Sequence, residues 1–174
     1  MNEATLRRQP AALALTGPAL ARLIALLLPL ALLGGALGSQ YFGGLVPCEM
    51  CYWQRWPHGA AILLAALAFT ASTASERSRT LTLLAALAIA VSGAIGVYHA
   101  GVELGIFEGL TTCAVTAGGA TNAELLDQIM KTPLVRCDQV QFAFLGISMA
   151  GWNAILSLGG AAVIAWLTLK GRAA

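Results

Sequence analysis

Polar and apolar positions in this chain are sorted into long blocks. Residues 23–48 contain no Asp, Glu, Lys or Arg, and neither do 56–75, 80–102 or 139–169. The cores of these blocks run from Leu23 to Gly38, His58 to Ser72, Thr80 to Tyr98 and Ala143 to Leu169, and all are rich in Ala and Leu. A helix of about 20 apolar residues crosses the hydrocarbon core of a bilayer. Membrane strands would alternate in polarity, and these blocks do not. Backbone groups in lipid must be satisfied within their own segment, which selects helix. The pattern predicts an all-α membrane protein: one domain over 1–174, a four-transmembrane-helix bundle with spans near 22–41, 57–75, 80–98 and 143–169. The loops at 42–56 and 99–142 then lie on one side. In the second of them Thr121 and Glu124 have the spacing of a capping box. Leu125, Leu126, Ile129 and Met130 follow on one helical face, and Thr132-Pro133 ends the run. A short amphipathic surface helix is expected there. Pro29 should kink the first span. Gly34, Gly35, Gly38, Gly93, Gly96, Gly159 and Gly160 are read as packing positions that let helices approach.

Composition supports the membrane reading. The chain has 174 residues, 58% hydrophobic and only 10% charged. A soluble domain carries roughly 25% charge. Ten Lys+Arg against eight Asp+Glu leave a net charge of +2. That is too little for a nucleic-acid footprint, so no nucleic-acid partner is expected. The bases are unevenly placed. Arg7, Arg8, Arg22, Arg77, Arg79, Lys170 and Arg172 fall on one side of the predicted spans; Arg55, Lys131 and Arg136 fall on the other. The side richer in Lys and Arg stays in the cytoplasm. Both termini are therefore expected inside, with loops 42–56 and 99–142 outside. A competing reading takes Arg22, the apolar run and Ala36-Leu37-Gly38 as a cleaved secretory signal. It would remove a span without moving the loops.

Four cysteines remain to be placed. Cys48 and Cys51 lie in the first outer loop, Cys113 and Cys137 in the second. Alternate loops share a side, so all four face one compartment. Outside the inner membrane thiols tend to be oxidised, and two pairs in two loops invite two disulfides. The first pair is a C-x-x-C in VPCEMCYWQRWPHG, with Pro47 suited to the first turn of a helix. Arg55, four residues after Cys51, shares its helical face. A cysteine near a helix N-terminus or a cation has a lowered pKa, and an ionisable group at the lip of a span usually has a task. Trp53 and Trp56 are read as interfacial anchors.

A C-x-x-C ring is too small for its disulfide to gain much from chain entropy. Thiol–disulfide exchange explains both the spacing and the cation. No G-x-G-x-x-G follows a strand, so a bound dinucleotide or flavin is not indicated. A lipid-soluble electron acceptor beside Cys51 and Arg55 is the economical choice. Zinc is the rival, but structural sites usually pair two close knuckles and here the second pair is spread over 24 positions. No metal site is expected. His58 and His99 are read as interfacial polar residues, with His99 and Glu103 able to pair at the outer end of the third span.

PCEMCYWQR resembles the first outer loop of the disulfide bond formation protein B (DsbB) family of bacterial inner membranes. YHAGVELGIFEG with TTC resembles its third span and loop, and CDQVQFAFLGISMAGWN its entry to the fourth span. The resemblance implies a four-helix bundle in the inner (cytoplasmic) membrane with the cysteine loops periplasmic. It implies a thiol:quinone oxidoreductase in which a periplasmic thioredoxin-fold dithiol protein of the DsbA type attacks Cys113. Cys137 would bridge transiently to Cys48, and Cys51 would meet the quinone (ubiquinone or menaquinone) with Arg55 holding it. There are two departures. Gly109 stands where a well-known member has a histidine linked to quinone, and Met149-Ala150-Gly151-Trp152 replaces the common M-P-x-W. Two other readings stand beside this one: an enzyme like the vitamin K epoxide reductases, disfavoured because its C-x-x-C lies at a later helix, and a non-enzymatic membrane protein with structural disulfides or a metal site made by all four cysteines.

Overall fold

A computed structural model of the chain describes residues 17–109, 121 and 135–170. It contains four helices: α1 (Gly17–Tyr41), α2 (Glu49–Phe69), α3 (Glu76–Glu103) and α4 (Met149–Lys170). A two-stranded antiparallel hairpin, β1 (Ala143–Phe144) and β2 (Ile147–Ser148), leads into α4. Cys113 and the expected surface helix lie outside the described residues.

The core is made of small residues. Ala21, Ala25, Ala61, Ala65, Ala85, Ala86 and Ala161 meet at the bundle centre with Ile89 and Ile164. The large side chains face outward: Leu27, Leu63, Leu67, Leu87, Ile155, Val163 and Trp166 are all exposed. Lipid solvates Leu as well as protein does, so membrane helices gain by turning small residues inward and bringing backbones together. α3 is the central helix, packing broadly against both α2 and α4. At Gly96 an added Cβ would stand 3.0 Å from the Ala150 carbonyl oxygen and 3.1 Å from the Ala154 nitrogen. Those are backbone atoms and cannot swing away. Gly93 is also tightly faced, and Gly160 meets only the far end of the Leu28 side chain, whereas Gly34, Gly35, Gly38 and Gly159 have open space around their Cα. The backbone-to-backbone approach therefore belongs to the α3–α4 seam and not to the whole set of glycines. α1 runs through Pro29, which is fully buried, without interruption.

Three helices, α1, α3 and α4, are long and apolar enough to cross a membrane. α2 differs because its first half carries Glu49, Gln54, Arg55 and His58. Its charge-free part, residues 56–69, rises roughly 21 Å at 1.5 Å per residue. The helix ends at Phe69, with Thr70 as C-cap, and not at residue 75 as its window suggested. The fourth window is also shortened. Its helix starts at Met149, because Leu145 (φ 52°) and Gly146 (φ 78°) turn the chain first. Two successive positive φ angles make the tight turn that matches a hairpin's twist. Ser148 Oγ then accepts the Gly151 N–H at the start of α4, and Trp152 Nε1 donates to the Phe144 carbonyl at 3.0 Å.

Candidate functional site

The cysteine end of the bundle gathers the chemistry. Cys48 is the N-cap of α2: its Sγ accepts the Cys51 N–H at 3.3 Å. Pro47 thus lies just outside the helix, not in its first turn. The thiols of Cys48 and Cys51 are 2.9 Å apart. Cys48, Cys51 and Cys137 are all free thiols, and Cys48 and Cys137 are buried in one cluster with Met50 and Val102. The two cysteine loops therefore meet through Cys137.

Cys51 lies ahead of the expected crossing at 57. Its pKa is lowered to about 7, first because the Cys48 thiol donates to it and further through the nearby Arg55 charge. Cys48 is pushed far up, first by that same hydrogen bond and then by burial. The dithiol loses its first proton from Cys51.

Arg55 bonds to α1: Nη1 donates to Gln40 Oε1 at 2.5 Å and Nη2 to the Ala36 carbonyl at 3.3 Å. Its guanidinium lies over the Tyr52 ring, 5.1 Å from the centroid. No hydrogen bond joins it to Cys51 among the described residues; its charge acts through space. Its Nε is buried without a partner. Arg22 at the opposite end of the bundle has an orphaned Nε too, so the orphan alone marks nothing. What sets Arg55 apart is the reactive thiol of Cys51 near its unspent donor.

Behind the thiols runs a buried polar chain that spans three helices. His99 Nε2 lies 3.6 Å from Cys48 Sγ and 3.9 Å from Glu103 Oε1. His99 Nδ1 is 2.8 Å from Gln54 Nε2, which also donates to the Met50 carbonyl at 3.1 Å. Asn153 Nδ2 donates to Gln54 Oε1 at 2.7 Å and to the Ser92 carbonyl at 3.1 Å. Asn153 Oδ1 takes His58 Nε2 and Ser157 Oγ, both at 2.9 Å. Ser92 Oγ donates to the Gln54 carbonyl at 2.8 Å. Glu103 is anchored by the Ser148 hydroxyl, which ties α3 to the hairpin.

Sequence reasoning placed His58 and His99 at the interface, and it left out Gln40, Gln54, Ser92, Asn153 and Ser157. A signal was present: Ser92 and His99, and Asn153 and Ser157, stand seven and four apart within charge-free windows, and Gln54 stands four before His58 at the edge of another. Polar residues at helical spacing in a span face the bundle interior.

Cys48, Cys51 and His99 offer three ligand atoms within 4.8 Å of one another, enough to consider a metal ion. A ligating histidine normally donates its second N–H to a carbonyl or carboxylate. His99 Nδ1 instead meets an amide nitrogen. The donor set suits a thiol pair with a hydrogen-bonding histidine better than a metal.

A family model described as disulfide bond formation protein DsbB matches residues 18–167. The disulfide bond formation protein B of Hahella chejuensis is 31% identical over 146 residues, 78% of this chain and 86% of that protein. That of Marinobacter nauticus is 30% identical over 132 residues, 71% and 76% of the two chains. An uncharacterised protein of Rickettsia prowazekii is 24% identical over 123 residues, 69% of this chain and 70% of that protein. No solved structure matches.

Proposed function

The chain belongs to the family of disulfide bond formation protein DsbB, and from that premise we propose that it is a protein-disulfide:quinone oxidoreductase of the bacterial inner membrane. As a membrane protein of disulfide bond formation it needs a dithiol to oxidise and an acceptor for the electrons. We read the dithiol as a periplasmic thioredoxin-fold protein of the DsbA type and the acceptor as a membrane quinone. All four helices cross the bilayer in this reading, with the Cys51 end of α2 standing ahead of its crossing. Both termini are cytoplasmic and the cysteine loops periplasmic.

The observation that carries the reading is the burial of Cys137, from the second loop, with Cys48 of the C-x-x-C. Exchange between the pairs requires that contact. The electrons of the partner's dithiol pass to the Cys113–Cys137 disulfide as one S–S bond breaks and another forms. Cys137 then passes them to the Cys48–Cys51 pair. Cys51, the more acidic thiol, ends as the thiolate. Arg55, Tyr52 and Gln40 are the residues that would hold the quinone, with the orphaned Arg55 Nε as a donor for a carbonyl oxygen. When bound, the quinone supplies the two-electron acceptor. The Cys48 hydrogen bond, and after it the Arg55 charge, favour the thiolate form of Cys51.

The test is direct. Purified protein is mixed with a reduced thioredoxin-fold dithiol partner and a soluble quinone, and quinone absorbance is followed. Reduction that is abolished by Cys51→Ser supports the reading. Quinone loss that is absent, or that survives Cys51→Ser, removes it.

A further inference from the structure

We infer that His99 is a further catalytic residue: its Nε2–H donates to Cys48 Sγ and stabilises that sulfur as a thiolate, and the buried Gln54–Asn153 pair positions it by fixing the ring's tautomer. The inference deepens the proposed exchange chemistry and rests on Cys48 being one of the exchanging thiols.

The proton on His99 can be located without seeing it, from two backbone anchors. The Met50 carbonyl accepts only, so the Gln54 atom facing it at 3.1 Å is the amide nitrogen. The Ser92 carbonyl accepts only, so the Asn153 atom facing it at 3.1 Å is likewise nitrogen. The two assignments agree, since Asn153 Nδ2 then meets Gln54 Oε1 at 2.7 Å, donor to acceptor. Flipping either amide would set oxygen against oxygen at its anchor. Gln54 Nε2 is thus a donor toward His99 Nδ1 at 2.8 Å, and Nδ1 must be a bare acceptor. In a neutral imidazole the hydrogen is then on Nε2. Every neighbour of Nε2 accepts: Cys48 Sγ at 3.6 Å and a Glu103 carboxylate oxygen at 3.9 Å. The ring also faces the Cys137 carbonyl. Polar groups on α2, α3 and α4 therefore settle together which nitrogen points at the sulfur.

Cys48 Sγ already receives the Cys51 N–H from the helix end. The histidine adds a second donor from a neighbouring helix. In the fully reduced pair this donor is outweighed, because Cys51 takes the negative charge first and the Cys48 thiol donates to it. Its role begins once Cys51 is uncharged or covalently occupied. When Cys48 leaves a disulfide, an incoming thiolate bonds to the partner sulfur, the bond to Cys48 breaks, and the electron pair stays on Cys48 Sγ. The Nε2–H and the Cys51 N–H meet that charge. When Cys48 attacks in turn, its charge passes to the departing sulfur, and no proton need be exchanged. The charged and titratable groups around the pair are Cys51, Arg55, Glu103 and Cys137.

The experiment needs neither partner nor quinone, so its failure is distinct from failure of the oxidoreductase reading. Nitrogen-15 NMR of the histidines in the reduced, detergent-solubilised full chain reads the tautomer; the expected result for His99 is hydrogen on Nε2. A hydrogen on Nδ1 overturns the inference. In parallel, the Cys48 alkylation rate is followed against pH by site-resolved mass spectrometry in full-length Cys51→Ala protein. His99→Leu should slow alkylation at pH 7 roughly tenfold, as expected for one lost hydrogen bond to a charged group. His99→Gln, which can place an amide donor near the same point, should recover most of the rate. An unchanged profile in His99→Leu, or slowing in His99→Leu and His99→Gln alike, refutes a donor role.

Discussion

Two arginines stand at the two ends of the bundle, and they are used differently. Arg22, at the start of α1, is locked into the turn between α2 and α3. It donates to the Ala68 carbonyl at 3.1 Å, the Ala71 carbonyl at 3.0 Å, Ser78 Oγ at 3.3 Å and Thr73 Oγ1 at 2.5 Å, and lies over the Phe69 ring. Arg55, at the start of α2, makes two hydrogen bonds, both to α1, and leaves its remaining field to Cys51. The same side chain closes a helix turn at one end and tunes a thiol at the other. The difference lies in how many carbonyls and hydroxyls surround it. Arg22 spends its terminal nitrogens on two carbonyls and two hydroxyls and has no thiol beside its remaining Nε.

The contrast is strongest in stability. Arg22→Ala strands four acceptors, and we expect about 3 kcal/mol of lost stability in detergent unfolding, with quinone reduction per folded molecule unchanged. An equal loss from Arg55→Ala would erase the distinction between the two ends. We expect Arg55→Ala instead to slow quinone reduction roughly tenfold, about 1.4 kcal/mol of barrier, while partner binding measured by mixed-disulfide trapping holds. Loss of both in parallel would remove Arg55 from the acceptor side.

Two smaller effects sharpen the cysteine end. Leu145 sits in the left-handed region with its side chain exposed. A residue with a branched Cγ has no reason to prefer that geometry, and Asn-Gly is the favoured pair for this turn. Leu145→Asn should stabilise the protein by about 1 kcal/mol in the same unfolding assay. A loss there would contradict the strain assigned to this turn. The smallest effect is a titration. Alkylation of Cys51 in the reduced protein should rise through an inflection at about 7, because the thiolate is the reactive form. Removing Arg55 takes away a positive neighbour, so the inflection moves up. It moves further with Cys48→Ala, since the Cys48 hydrogen bond is the larger cause. A downward move in either variant contradicts the assignment.

Much of this was legible in the chain. Lipid demands internal backbone satisfaction, so a charge-free stretch of sufficient length announces a helix whatever packs beside it. That physics located α1, α3 and most of α4. It read less well where polar residues intrude. Hydropathy left the first half of α2 in the loop 42–56, because Glu49 and Arg55 break the charge-free run, although Pro47 and the Cys51–Arg55 spacing pointed to a helix, and the helix begins at Glu49. Residues 143–148 looked like helix because they are apolar, yet two positive φ angles make them a hairpin. Hydropathy reports what a residue avoids, and it is blind to backbone turns.

The sequence by itself determined the membrane setting, the four long helices, the C-x-x-C at a helix start and the cation four residues on, because each depends on spacing along a single segment. Only the tertiary structure decided that Cys137 is buried with Cys48, that Arg55 reaches across to Gln40, and that Ser92, Asn153 and Gln54 fix the proton on His99. Those facts depend on which side chains meet between helices. Tightly faced glycines at 93 and 96 let α3 and α4 meet closely enough for an amide on α4 to reach both neighbours.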